Sequence, residues 1–117
     1  MPKFKNKVSG IAMNVPVANG SCIDLTTEMD RIPSVEEANK SFENASLNEL
    51  KGLIRFTEDP IVSSDAIGGG ETMLFDSKAT MIASEKLLKT VAWFDNGWGF
   101  ANRILELAEA YSKKERI

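Results

Sequence analysis

One stretch limits the architectures open to this chain more than any other. Residues 93–103 read Trp-Phe-Asp-Asn-Gly-Trp-Gly-Phe-Ala-Asn-Arg, with aromatics, a carboxylate and amides set around two glycines. That composition is too structured for a linker and too polar for plain core. On its amino side, Leu87 to Phe94 has the apolar, β-branched character of a strand. On its carboxy side, Phe100 to Lys113 places Phe100, Ile104, Leu107, Ala108 and Tyr111 on one helical stripe, and Lys113 and Lys114 complement the helix dipole at the end. A strand therefore runs through an Asn-Gly turn into a helix, and junctions of this kind often hold ligands.

The amino-terminal third reads as sheet. Val8, Ile11, Ala12, Met13 and Val15 alternate imperfectly with smaller or polar residues over Lys7 to Val15, and Pro16 and Asn19-Gly20 then supply a stop and a turn. From Cys22 to Met29, Cys22, Asp24, Thr26 and Glu28 fall on one face. Ile23, Leu25, Thr27 and Met29 fall on the other, which predicts a half-buried strand with one apolar side. These two runs are expected to be antiparallel neighbours. A helix follows over Val35 to Ala45: Ser34 and Glu37 fit a capping box, and Val35, Ala38, Phe42 and Ala45 recur at helical spacing. A short turn is expected at Leu47 to Leu50, a strand at Leu53 to Phe56, an extended piece at Ile61 to Ile67 and a loop at Gly68-Gly69-Gly70. Two short strands, Thr72 to Asp76 and Thr80 to Ala83, precede the long one. The glycine triplet lacks both the Lys-Ser/Thr of a P-loop and the spacing of a dinucleotide fingerprint, so a plain loop is the better reading. The pattern predicts one α+β domain, its sheet mixed or mainly antiparallel with helices on one face.

Composition narrows function by exclusion. At 117 residues, with 43% hydrophobic and 26% charged residues, the chain is one soluble domain's worth. A net charge of -3 offers no electrostatic footprint for nucleic acid, and Lys3, Lys5 and Lys7 are too few to make one. No apolar run approaches the roughly 20 residues of a membrane span, and the first residues lack the apolar segment of a secretory signal. One cysteine, Cys22, cannot close an internal disulfide. A cytoplasmic protein is expected.

The 93–103 stretch resembles the carboxy-terminal signature of the glyceraldehyde-3-phosphate dehydrogenases, commonly Trp-Tyr-Asp-Asn-Glu-Trp-Gly-Tyr-Ser-Asn-Arg. Other segments match in order. Residues 7–16, Lys-Val-Ser-Gly-Ile-Ala-Met-Asn-Val-Pro, are similar to the family's Lys-Leu-Thr-Gly-Met-Ala-Phe-Arg-Val-Pro. Ser21 to Thr26 resembles Ser-Val-Val-Asp-Leu-Thr, and Leu50 to Asp59 resembles Leu-Lys-Gly-Ile-Leu-Gly-Tyr-Thr-Glu-Asp. Val62 to Asp65 and Phe75-Asp76 also have counterparts, so the likeness covers nearly the whole chain.

The resemblance implies an enzyme that oxidises an aldehyde phosphate with NAD or NADP. A cysteine thiolate attacks the carbonyl, hydride leaves to the cofactor, and phosphate releases the acyl group from the thioester. The family's cysteine lies in Ser-Cys-Thr-Thr-Asn, with a histidine to activate it. These 117 residues contain neither that motif nor any histidine. Residues 1–117 are accordingly expected to be a single partial domain, the carboxy-terminal part of the catalytic domain without its cofactor-binding domain. Such a portion would be inactive alone, with no catalytic residue of its own and no tight cofactor binding. Its expected partners are further copies of itself and the missing amino-terminal part, with neither nucleic acid nor membrane. The alternative is a non-catalytic remnant acting as an assembly or interaction module.

Two positions carry over as binding residues. Asn96 matches the asparagine whose amide meets the nicotinamide carboxamide, a contact that suits a group able to donate and accept at once. On the residues alone, an Asn-Gly turn needing no ligand stands level with that reading; the resemblance tips it towards cofactor contact. Asn14 occupies the place of the family's phosphate-binding arginine. A neutral amide there keeps hydrogen bonding and loses the bidentate charge, which puts phosphate binding in question. Gly97 and Phe100 replace a common glutamate and tyrosine. Cys22 lies in a strand beside Asp24 with no imidazole at hand, and is expected to pack as a small apolar residue. Trp93 and Trp98 are expected to be core anchors.

Overall fold

The computed structural model describes residues 2–114. Four strands and two helices are formed among them: β1 (Ser21–Glu28), α1 (Val35–Leu47), β2 (Ile54–Thr57), β3 (Met73–Ser84), β4 (Leu87–Phe94) and α2 (Asn96–Lys114). Short 3-10 turns occupy Pro2–Phe4 and Ser63–Ala66. The sheet order is β1-β4-β3-β2. β1 with β4 and β3 with β4 are antiparallel, whereas β2 runs parallel to β3, so the sheet is mixed. The fold is the expected α+β class.

α1 begins where its cap dictates. Ser34 Oγ accepts from the Glu37 amide at 3.1 Å while Glu37 Oε2 accepts from the Ser34 amide at 2.8 Å, the reciprocal pairing of a capping box. The helix lies on one sheet face through Ala38 and Phe42. Phe42 stacks on Phe75 with ring centroids 3.9 Å apart, and Phe56 stacks on Phe75 from the next strand at 5.9 Å. Phe75 is 1% exposed and forms the centre of the core. Asn39 Nδ2 donates to the Ser77 carbonyl at 3.0 Å and ties the helix to the middle of β3.

The two short strands expected at Thr72 to Asp76 and Thr80 to Ala83 are a single long strand with an irregular middle. Its pairing to β4 shifts register between Asp76 and Met81. Asp76 is the local cause: its Oδ1 accepts from the amides of Lys78 and Ala79, both at 3.1 Å, and so bends the backbone out of the ladder. Sequence reasoning took the resulting break in the apolar pattern for a gap between strands.

Several expectations fail, and each failure has a cause. Lys7 to Val15 is not a strand and does not pair with β1. Val8, Ile11, Met13 and Val15 are 74%, 87%, 78% and 62% exposed. Apolar alternation supplies a face but no hydrogen-bonding edge; here Pro16 turns the chain away, with the Val17 amide donating to the Val15 carbonyl at 2.8 Å. Ile61 to Ile67 is not extended but holds the 3-10 turn, because Asp65 Oδ2 accepts from the Val62 amide at 2.7 Å and pulls the segment into a loop. β1 is exposed along almost its whole length instead of half buried, since α1 covers β2 and β3 and stops short of the sheet edge.

The molecule shows far more surface than its mass requires. A monomer of 12.9 kDa is expected to expose about 6,300 Å², whereas this chain exposes 9158 Å². Its radius of gyration, 16.2 Å, likewise exceeds the roughly 13 Å of a compact domain of this length. The excess comes from residues 8–17, from β1 and from α2, whose Trp98, Phe100, Ile104, Leu105, Leu107 and Tyr111 are all more than half exposed.

Candidate functional site

β4 passes into α2 with no intervening turn. The helix starts at Asn96, ahead of the expected Phe100, and Asn96-Gly97 forms its first residues in place of the expected Asn-Gly turn. Asp95 makes this possible. Its carbonyl accepts from the Gly99 amide at 2.9 Å and its Oδ1 accepts from the Trp98 amide at 3.0 Å, the geometry of an N-cap. Its second oxygen, Oδ2, accepts from the Gly68 amide at 3.1 Å and from Asn19 Nδ2 at 3.3 Å. The buried Asp95 carboxylate thus serves three segments at once. The amides of Trp98 and Gly68 hold its pKa below the ordinary carboxylate value, more than offsetting the opposing effect of desolvation, and the Gly97 amide and Asn19 add to them.

The first turns of α2 are fixed from the other side by Arg103. Its Nη1 donates to Thr72 Oγ1 at 2.9 Å and its Nη2 to the Gly70 carbonyl at 3.1 Å, so the guanidinium reaches across the glycine loop. Gly99 faces the same loop, and a Cβ there would stand 3.1 Å from the Glu71 carbonyl oxygen. The glycine is what lets helix and loop meet so closely. Beyond Arg103 the helix leaves the sheet. The expected apolar stripe is present but faces outward, with Phe100 67%, Leu107 59% and Tyr111 62% exposed.

Asn96 stands exposed at the opening of this helix, and among the described residues its side chain has no hydrogen-bond partner. Donor and acceptor are both free. Asn14 lies in the exposed coil before β1, with no side-chain hydrogen bond among the described residues. Among the described residues no hydrogen bond joins Asn14 to Asn96; Asn19 ties the coil to the junction through Asp95. The cavity behind Asp95, bordered by Ala66, Leu74 and Trp93, has about 10 Å³ of room, enough for one water molecule. A wider cleft of about 490 Å³ lies across Arg55, Thr57, Asp59 and Asp65, and neither Asn14 nor Asn96 borders it. Neither space brings the two asparagines together.

Trp93 is half buried, and its Nε1 donates to Asp76 Oδ2 at 3.2 Å, consistent with an anchoring role. Trp98 is 55% exposed and anchors no core, because its helix departs from the sheet. Cys22 is exposed instead of packed, for the same reason that β1 is. Its thiol is pushed above the ordinary value by desolvation and by Asp24 and Asp76, with Lys89 opposing, so it holds its proton and is a poor nucleophile at neutral pH. Among the described residues no cluster of His, Cys, Asp or Glu could hold a metal ion. No helix among them is long and apolar enough to cross a membrane.

Asp95, Arg103 and Asn19 were passed over in reading the sequence. An Asp directly before helical periodicity is a recognisable cap signal, so Asp95 was within reach. The partners of Arg103 and Asn19 come from distant segments and leave no local trace.

A mixed sheet with one covering helix leads through a capped junction to an outward-facing helix, an α+β arrangement. The family model for the glyceraldehyde 3-phosphate dehydrogenase C-terminal domain matches residues 1–96. Relatives extend the match through α2. The chain is 43% identical over 107 residues to glyceraldehyde-3-phosphate dehydrogenase 2 of Streptomyces avermitilis, covering 92% of the chain and 32% of the relative. It is 44% identical over 108 residues to the Streptomyces coelicolor glyceraldehyde-3-phosphate dehydrogenase, with the same coverage of both. To the Arabidopsis thaliana protein named GAPC2, cytosolic, it is 34% identical over 113 residues, covering 97% of the chain and 33% of the relative. The chain belongs to the glyceraldehyde 3-phosphate dehydrogenase family, an oxidoreductase family, and spans about a third of the length of the curated relatives it matches.

Proposed function

We propose that these residues are the carboxy-terminal part of the catalytic domain of an NAD(P)-dependent, phosphorylating glyceraldehyde-3-phosphate dehydrogenase of the glycolytic type. They build one wall of the active site and lack the nucleophile. The observation that carries this reading is Asn96: an uncommitted amide, exposed at the start of a helix whose first turn is held rigidly by Asp95 and Arg103. An amide that both donates and accepts matches the carboxamide of a nicotinamide, so the residue present fits the cofactor at that one contact. A bound nicotinamide would supply the hydride acceptor for aldehyde oxidation. Asn96 orients the carboxamide and so the ring face, a contribution of position and not of proton transfer.

The reactive cysteine and its histidine belong to the portion that these residues do not include. Cys22 is no substitute, because two neighbouring carboxylates and partial desolvation keep its thiol protonated. The excess surface supports assembly. An excess of roughly 2,800 Å² over the expected monomer value is on the scale that stable subunit interfaces bury. The partners are accordingly the amino-terminal part of the enzyme and further copies of the chain, in the cytoplasm, as the name of the Arabidopsis relative suggests for that protein.

The decisive experiment mixes the purified chain with a cysteine- and histidine-bearing amino-terminal portion of a relative. NAD- or NADP-dependent oxidation of glyceraldehyde 3-phosphate, needing inorganic phosphate, is expected only in the mixture, and Asn96→Ala should raise the cofactor KM. Turnover by the chain alone that Cys22→Ser abolishes would place the nucleophile here and overturn the reading.

Asn14 favours a second reading, in which the scaffold serves as an assembly module without catalysis. Where the family motif has arginine, an amide cannot supply charge to a phosphate. If the mixture assembles but stays inactive, and Asn14→Arg restores turnover, the loss of phosphate binding is the cause.

A further inference from the structure

The Asp95 carboxylate does more than cap a helix. A cap requires one acceptor oxygen, and Oδ1 supplies it to the Trp98 amide at 3.0 Å. Serine, threonine or asparagine would do as much. The second oxygen is spent elsewhere: Oδ2 takes the Gly68 amide at 3.1 Å and Asn19 Nδ2 at 3.3 Å, and both donors come from segments far away in the sequence. Only a carboxylate offers acceptors on both sides, because the amide of asparagine would turn an N–H towards donors. The two recruited segments are not arbitrary. Gly68 opens the loop that Arg103 grips at Gly70. Asn19 closes the exposed coil that carries Asn14, at the point where Gly20, with φ +93°, packs its α-carbon against Ser63 so closely that a Cβ would stand 2.9 Å from the Ser63 carbonyl oxygen.

We propose that Asp95 is a positioning residue that locks the Asn96-bearing start of α2 to the Asn14-bearing coil and to the glycine loop, so that the three segments are held in one frame. That Asn96 faces a ligand rests on the function proposed above; the lock itself stands on the hydrogen bonds of Asp95 alone. Without it the coil at residues 8–20 has few ties to the sheet, and the first turn of α2 is held to the glycine loop chiefly by Arg103.

Asp95→Asn separates the two roles in the chain as it stands. Asparagine keeps the cap and presents an N–H to Gly68 and Asn19. Amide hydrogen exchange followed by NMR should leave Trp98 and Gly99 protected to within about threefold, while Gly68 exchanges roughly ten- to a hundredfold faster, the usual consequence of losing a charge-assisted hydrogen bond. The backbone order parameters of residues 17–20 should fall in the same sample, a signature that a mere cap would not move. Unchanged protection at Gly68 would overturn the lock. Should Asp95→Asn fail to fold, Asn19→Ala gives the second test: the order parameters of residues 17–20 should drop while Trp98 stays protected, and no change at residues 17–20 would overturn the coupling.

Millimolar NAD added to the same samples separates this inference from the cofactor reading. If the NAD-induced shifts around the junction survive Asn96→Ala unchanged, the cofactor contact is wrong and the lock stands. If Gly68 keeps its protection in Asp95→Asn, the lock is wrong whatever NAD does.

Discussion

Phe75 and Leu107 each lie in an apolar stretch that predicts its element, yet one is 1% and the other 59% exposed. β3 finds its partners inside the chain: Phe42 from α1 and Phe56 from β2 close over Phe75 in a stacked aromatic core. α2 is tied down at its first turns, where Asp95, Gly99 and Arg103 meet the 66–72 loop; after that its stripe of Ile104, Leu107 and Tyr111 stays more than half exposed. The difference teaches that periodicity selects the element and not the neighbour. A helix that is amphipathic over its whole length has been shaped for a surface, and within these residues that surface is not supplied.

The sharpest way to break the comparison is to empty the packed side. Phe75→Ala should cost about 3–5 kcal/mol, read as a drop in the urea midpoint, because a large buried ring leaves a cavity that the stacked partners cannot fill. Gly20→Ala should cost about 1–3 kcal/mol: its positive φ and the Ser63 carbonyl oxygen 2.9 Å from the new Cβ add strain to a clash. Ser34→Ala should remove about 1 kcal/mol by deleting the cap of α1 while the aromatic core stays intact.

Acid tests the junction between the two regions. The Asp95 carboxyl is held below its ordinary value chiefly by the Trp98 and Gly68 amides, so its contribution is fully present above the unfolded value of about 3.9. It is lost as pH falls through the lowered folded value. The stability gap between the wild type and Asp95→Asn should hold steady from pH 7 to 5 and close below pH 4, measured by urea unfolding at each pH. The smallest effect on stability belongs to the open side. Leu107→Ser should shift the midpoint by less than about 0.5 kcal/mol, yet weaken self-association by light scattering. A large loss of stability in the monomer would mean that the α2 stripe is packed after all.

Much of the fold was legible because its signals are local. The Ser34–Glu37 box placed the start of α1 because its bonds lie within three residues, and the nearly continuous apolar run Leu87 to Phe94 gave the whole of β4 although its partners are distant. The single strand β3 was read as two because Asp76 bends it with its own side chain. Lys7 to Val15 was misread because alternation was taken as proof of pairing. The candidate site was half legible. Asn96 stood out through the family motif, while Asp95, which holds it, was read merely as part of a polar stretch.

The sequence alone determined the family, the α+β class, the cap of α1 and the absence of any histidine, since each is written in neighbouring residues or in composition. The tertiary structure decided what the apolar residues meet. Burial is a property of pairs distant in the chain, and no periodicity states which distant partner will come. It buried Phe75, left Leu107 and β1 bare, and gave the two oxygens of Asp95 donors from residues 19, 68 and 98. A carboxylate that reads as one turn residue among several is, in three dimensions, the point where those three segments are joined.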